Sequence, residues 1–100
     1  MEKKIKAKKY IVRCDRAGVF FGEIKKRKAS EVTMANVRKV WFWDGACAVE
    51  ELAKNGTTNP DGCKLTVKVD EMTVLQVIQV IPCTDKAVRA LEATHEWKRG

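Results

Sequence analysis

The sequence predicts an α+β fold, either a curved antiparallel sheet or a small open barrel, in the order β-β-β-α-β-β-α with one or two helices. Three observations predict it. Runs rich in β-branched and aromatic residues follow one another with only short turn sequences between them, which implies antiparallel pairing. Only two segments carry helical spacing of apolar residues. Two helices cannot cover both faces of a large flat sheet, so the sheet must curve to bury itself. The length, 100 residues, fits a single domain spanning 1–100 with one modest core.

The elements follow in order. Tyr10–Cys14 reads as a strand that ends at the turn sequence Asp15-Arg16-Ala17-Gly18. Val19–Ile24 reads as its hairpin partner, with Gly18 supplying a positive φ and Gly22 marking a bulge or a close backbone approach. Lys25–Ser30 reads as an exposed loop, because consecutive like charges resist burial. Glu31–Met34 is a short strand, and 37–43 is a second segment with strong strand propensity. Asp44 is placed to cap a helix carrying Ala46, Val49, Leu52 and Ala53, with Gly56 in the C′ position. The stretch 55–62 is loop by composition. Leu65–Val69 alternates as a strand with one wet face, 70–73 forms a connection, and 74–81 is a β-branched run stopped by Pro82. Thr84 caps a last helix with Ala87, Val88 and Leu91 as its apolar stripe. The basic segment 1–9 leads into the first strand; the tail 95–100 is expected to fray, with Trp97 free to fold back.

Charge is the best functional clue. In residues 1–28 eleven bases oppose three acids, whereas in the other 72 nine bases oppose ten acids, giving the net +7. Such a lopsided field draws anions to one side of a small protein. Lys8 and Lys9, with Lys25, Lys26, Arg27 and Lys28, flank one predicted hairpin and are expected to contact phosphates; a merely solvated, solubilising surface is the alternative. A cluster dominated by Lys favours electrostatic attraction over specific readout. In 37–43, alternation puts Arg38, Val40 and Phe42 on one face and Val37, Lys39, Trp41 and Trp43 on the other. Arg13 and Lys39 are candidate ligand-binding cations, Arg38 a candidate bidentate contact, and Trp41 and Trp43 candidate stacking surfaces. The competing reading makes both tryptophans core residues with Lys39 at the rim.

Signs of catalysis are poor. No phosphate-binding glycine loop, H-E-x-x-H or G-x-S-x-G string occurs, and Glu50-Glu51 and Asp70-Glu71 are sequence neighbours that point in different directions. His95 reads as a lone surface histidine. The four cysteines Cys14, Cys47, Cys63 and Cys83 form no C-x-x-C pair, which favours buried free thiols over a metal site or disulfide. The expectation is therefore no catalytic residues, no metal and no cofactor. No apolar run reaches membrane-spanning length and no secretory h-region follows the basic N-terminus, so a cytoplasmic protein without membrane association is expected.

Four strings carry a resemblance: Tyr10-Ile11-Val12-Arg13 leading to Gly18-Val19-Phe20-Phe21-Gly22; Glu31-Val32-Thr33-Met34 with Asn36-Val37-Arg38; Trp41-Phe42-Trp43-Asp44-Gly45-Ala46 before Leu52-Ala53; and Ile81-Pro82-Cys83-Thr84-Asp85-Lys86-Ala87. Over Tyr10–Ala87 the chain resembles a family of small uncharacterised proteins encoded in bacteriophages and prophages. The resemblance implies action inside a bacterial host cell and transfers no catalytic residue. Together these readings point to a non-enzymatic binding protein for an anionic ligand, a nucleotide or nucleic acid. A counter-defence role that sequesters a nucleotide signal fits, with a homo-oligomer as one way to build the pocket. The alternative is a protein–protein inhibitor or assembly factor acting on a host or phage protein.

Overall fold

A computed structural model describes residues 8–97. Its elements are the strands β1 (Tyr10–Cys14), β2 (Gly18–Lys28), β3 (Glu31–Phe42), β4 (Lys64–Leu65), β5 (Val69–Val74) and β6 (Val77–Pro82), with helices α1 (Val49–Asn55) and α2 (Asp85–Ala93) and a 3-10 turn at Pro60–Gly62. All the strand pairings are antiparallel. The strand order is β4-β3-β2-β1-β6, with β5 also on β3 beside its N-terminal half. The result is an open, curved α+β sheet, as the residue pattern predicts.

Alternation along the strands creates two cores, one on each face. Ile11, Val19, Phe21, Val40 and Leu65 meet Leu52, Ala53 and Leu91 of the helices. Val12, Cys14, Phe20, Val32, Met34, Val37 and Val74 fill the other side, with Val77 and Val80 of β6 packed against them. Burying the apolar side of a strand contributes roughly 1.5–3 kcal/mol per large side chain, and a sheet that curls around its own residues needs no second layer there.

Bends make this curl possible. The β2–β3 register shifts between Phe21 and Glu23, opposite Asn36, whose φ is +48°. Asparagine tolerates that left-handed conformation better than most residues, and its Nδ2 donates to Glu23 Oε2 at 3.1 Å. Gly22 faces this bend with no room for a side chain: a Cβ there would lie 2.8 Å from Val37 Cα. The bulge and the close approach expected at Gly22 are thus one feature.

Several boundaries differ from the sequence reading. Lys25–Lys28 is not a loop: β2 runs through it, with Lys26, Arg27 and Lys28 registered against Thr33, Val32 and Glu31. The charges remain in solvent because the hairpin end projects past the last β1 partner, Tyr10 opposite Gly22, and Lys28 faces an acid across the ladder. The turn is Ala29-Ser30, with Ala29 at φ 53°. The two segments expected at 31–34 and 37–43 join as one strand, because the bend at Asn36 keeps the pairing continuous.

Leu65–Val69 shrinks to Lys64–Leu65, and the connection expected at 70–73 lies inside β5. The apolar run 74–81 is cut at Gln76, whose φ is +57°. The reason is topological: β5 belongs to β3 and β6 to β1, so the chain must turn between them. Asp15 N donates to Gln76 O and Val77 N to Ser30 O, both at 2.9 Å. Helix α1 ends where expected, with Gly56 N donating to Leu52 O, but starts later. Asp44 does not cap it, because its carboxylate accepts from Gly45 N and Asn59 Nδ2. Helix α2 matches its signals: Ala87 N donates to Thr84 Oγ1 at 3.1 Å, and Ala87 and Leu91 are buried.

The segment after α2 does not fray as far as Trp97. Glu96 bridges Leu65 in parallel and Trp97 N donates to Leu65 O at 2.8 Å, so the chain lies along β4; residues 98–100 are outside the described part, as are 1–7 of the basic segment. Among the described residues no helix is long and apolar enough to cross a membrane.

Candidate functional site

The cations predicted to contact phosphate fall into two groups. Lys26, Arg27 and Lys28 line a shallow cavity of about 420 Å³ at the end of the β2–β3 hairpin, with Glu31 and Thr33. None of the three makes an ion pair among the described residues, whereas Lys25, displaced by the register shift next to it, donates to Glu71 Oε1 of β5 at 2.7 Å. Beside the cavity Val32 is fully buried, and Thr33 in its lining is hydrogen-bonded to Thr73 of β5. A pleated ladder therefore holds Lys26 and Lys28 on one face, with Arg27 between them on the other.

Lys8 and Lys9 stand beside the same strand. They line a second cleft of about 530 Å³ together with Glu23, Cys83, Asp85, Val88, Arg89 and Glu92. Lys9 is committed to the fold. Its Nζ lies 3.1 Å from Glu23 Oε2 and 3.2 Å from Glu92 Oε2, and Glu92 also holds Lys68 at 3.1 Å. This chain of charges ties β1, β2, α2 and the segment before β5. Lys8 is exposed and makes no ion pair among the described residues.

The charge network carries a pH dependence. The Asn36 amide and Lys9 hold the Glu23 carboxyl below its ordinary 4.5. At Glu92 burial pushes upward, but Lys68 and Lys9 prevail and the net shift is down. Groups depressed in the folded state stabilise it fully above their unfolded value, and that contribution is lost as pH falls through the folded one. Thermal unfolding is therefore expected to be level above 4.5 and to drop to lower temperature below it. Lys9→Met lowers the midpoint at neutral pH and makes the acid drop shallower.

The five residues expected to bind ligand do not converge. Arg13 is exposed at the β1–β6 pairing, donates to Gln79 Oε1 at 3.1 Å, and sits near Glu50, which accepts from the same glutamine. Arg38 is 5% exposed. Its Nη1 donates to Leu91 O and Thr94 O at 3.1 and 2.8 Å, and its Nε donates to Thr66 O at 3.0 Å. It closes the C-terminal end of α2 and has no fork left for a ligand. Burial pushes its pKa below the ordinary value, while Glu92 and Glu96 oppose the shift. Lys39 lies on β3 beside the β1–β2 turn, its methylenes against Gly18.

The two tryptophans separate. A further register shift lies between Val40 and Phe42. It reverses the alternation, so Trp43 packs on the helix-side core with Val40. Trp41 is 55% exposed and Phe42 51%. Trp41 stacks on Trp97, with centroids 4.9 Å apart and planes 10° from parallel. Lys64 Nζ stands 5.1 Å from the Trp41 centroid and 5.2 Å from that of Trp97. Neither Trp97 nor Lys64 is among the expected site residues. A lone tryptophan shortly after a helix end is the signal that points to the first; nothing in sequence pairs Lys64 with it.

The thiols are quiet. Cys14 and Cys63 are buried, but Cys83 is half-buried and Cys47 exposed, in contrast to the reading of four buried thiols; no disulfide joins the four. Burial pushes the Cys83 thiol up to about 12, and burial raises Cys14 as well. Cys63 sits at the centre of a loop knot, touching Asp44 O, Thr57 Oγ1 and Asn59 O.

Residues 7–91 match a family model described as a domain of unknown function, DUF6948, and the chain belongs to that family. No curated protein and no solved structure matches it.

Proposed function

We propose that this member of the DUF6948 family is a non-enzymatic binding protein for an anionic polymer, a nucleic acid, and that the basic hairpin end is where it takes hold of the backbone. One observation carries the reading: Lys26, Arg27 and Lys28 stand exposed on a paired, projecting ladder, where three cations meet one cross-strand acid, Glu31, and none of them makes an ion pair among the described residues. A cationic surface held by strand pairing loses little side-chain-independent freedom on binding, which favours association. Lys8 adds charge beside it. Arg38 and Trp43 are spent in the fold and take no part. A nucleotide signal alone is a poorer fit, because the hairpin cations Lys26, Arg27 and Lys28 and the exposed Trp41 lie at opposite ends of β3.

The protein works in this reading inside a bacterial host, in the cytoplasm, as a phage-type factor that shields or blocks nucleic acid during counter-defence. The test is oligonucleotide affinity across a salt series. With about three phosphates neutralised, the logarithm of the binding constant falls with the logarithm of salt with a slope near −2 for a single strand. Lys26→Glu with Lys28→Glu is expected to lower affinity at least tenfold at low salt and to flatten the slope. A wild-type slope near zero overturns the reading.

A second reading, a protein–protein inhibitor or assembly factor, draws on Leu75 and Ile78, 59% and 56% exposed. They stand at the turn into β6 and on that strand, which has one ladder neighbour. Under it, Ile78→Lys abolishes co-elution with a host or phage protein, or self-association in sedimentation, while oligonucleotide affinity is zero throughout.

A further inference from the structure

Phe42 and the Trp41–Trp97 pair form an exposed aromatic surface with a cation at its edge, outside the basic hairpin end. Trp97 is held there by its own backbone bond to Leu65, so the stack is anchored from two separate segments. Lys64 Nζ lies about equally far from both indoles and 6.0 Å from the Phe42 centroid. The Glu96 carboxylate, the nearest acid in sequence, interacts with the Arg38 charge.

We infer that the Trp41–Trp97–Lys64 surface is a stacking site for an unpaired nucleobase of a single-stranded nucleic acid, with Lys64 beside the adjoining phosphate. The inference rests on the nucleic-acid reading above and narrows its substrate class. Every nucleobase has a flat apolar face that an exposed indole can cover, and a neighbouring ammonium group supplies the charge complement to the backbone. A duplex has its base faces already stacked and offers none. Val32 and Trp41 lie nine residues apart on β3, roughly 30 Å at strand rise. A single nucleotide cannot reach both ends of that strand, whereas a single-stranded chain can touch phosphates at the hairpin and present a base to the indoles. The hairpin site thus selects a polymer, and the indole site selects one with free bases.

The experiment compares an oligothymidylate of about 12 nucleotides, within the range such small binders occupy, with an abasic strand of the same length and the duplex. Affinities are measured for the full chain, for Trp41→Leu, for Trp41→Phe and for the Lys26→Glu/Lys28→Glu pair. The base-bearing strand is expected to bind about tenfold more tightly than the abasic one. Trp41→Leu removes that difference and leaves abasic affinity unchanged, Trp41→Phe restores part of it, and the charge reversals weaken both strands alike. Equal affinity for the two strands, still sensitive to charge reversal, overturns the stacking site and leaves the basic hairpin standing. Tighter binding of the duplex than of the single strand also overturns it. Absence of binding to any of them at low salt overturns the nucleic-acid reading and the stacking site with it.

Discussion

Arg38→Met is expected to destabilise the fold by about 3–5 kcal/mol, since it strips several buried groups of their partner at once. The substitution keeps much of the volume but removes every donor. The carbonyls of Thr66, Leu91 and Thr94 then face a thioether. Leu91 O keeps the Thr94 N–H at 3.3 Å, but Thr66 O and Thr94 O lose the guanidinium, and a buried carbonyl left without a donor costs about 1–3 kcal/mol. Arg38→Lys is expected to recover less than half of the loss, because one ammonium cannot reproduce a planar fork that reaches two chain segments. Urea unfolding reads both: the midpoint moves down while the slope stays at its wild-type value. If Arg38→Met unfolds at the wild-type midpoint, the guanidinium is dispensable and its description as the closing group of α2 fails.

Gly22→Ala is the second large effect, about 2–4 kcal/mol, from overpacking against backbone. The added Cβ would meet Val37 Cα at 2.8 Å, Val37 Cβ at 3.0 Å and Ala35 O at 3.1 Å. Two of these are main-chain atoms of the paired strand, so no rotamer change relieves the contact and β2 must draw away from β3 at its bend. Gly18→Ala makes the contrast. Its nearest neighbour is the mobile Lys39 Cε at 3.2 Å, leaving mainly the strain of φ +109°, on the order of 1–2 kcal/mol. Thermal melts of the two variants should differ in that order; a milder effect at Gly22 than at Gly18 would show that the strands are not in close contact there.

Local signals were readable in the sequence where residue chemistry decides local geometry. Thr84 and Gly56 mark helix ends because a hydroxyl cap and a positive-φ glycine act over a few residues. Tyr10–Cys14 and its partner follow from alternation and a tight turn. What escaped notice depends on partners distant in sequence. Lys25–Lys28 carries the composition of a loop, and only its register against Glu31–Thr33 makes it strand. The run from Val74 to Ile81 looks continuous, yet two destinations on opposite edges of the sheet break it at Gln76. Trp41 and Trp43, expected on one face, part company through one extra residue between Val40 and Phe42; an alternation count cannot foresee a bulge. Arg38 resembles a ligand contact because its true acceptors are carbonyls at 66, 91 and 94, which no spacing rule connects to it. The basic hairpin was visible as composition, while Trp97 and Lys64 joined Trp41 only when the chain after α2 returned to β4.

The position of β1 between β2 and β6 has a kinetic consequence. During synthesis the ribosome releases β1, β2 and β3 long before β6, so the hairpins can zip early while one side of β1 waits unpaired. Ile11 and Val12, both fully buried at the end, remain partly wet until residues 77–82 emerge and dock. Closing a loop of that length demands entropy before any contact rewards it, and such distant pairing sets a slow pace. A nascent chain stalled ahead of Val77 should therefore be sticky, protease-sensitive and dependent on chaperones, and release of the last strand should convert it to the folded protein in a single late step.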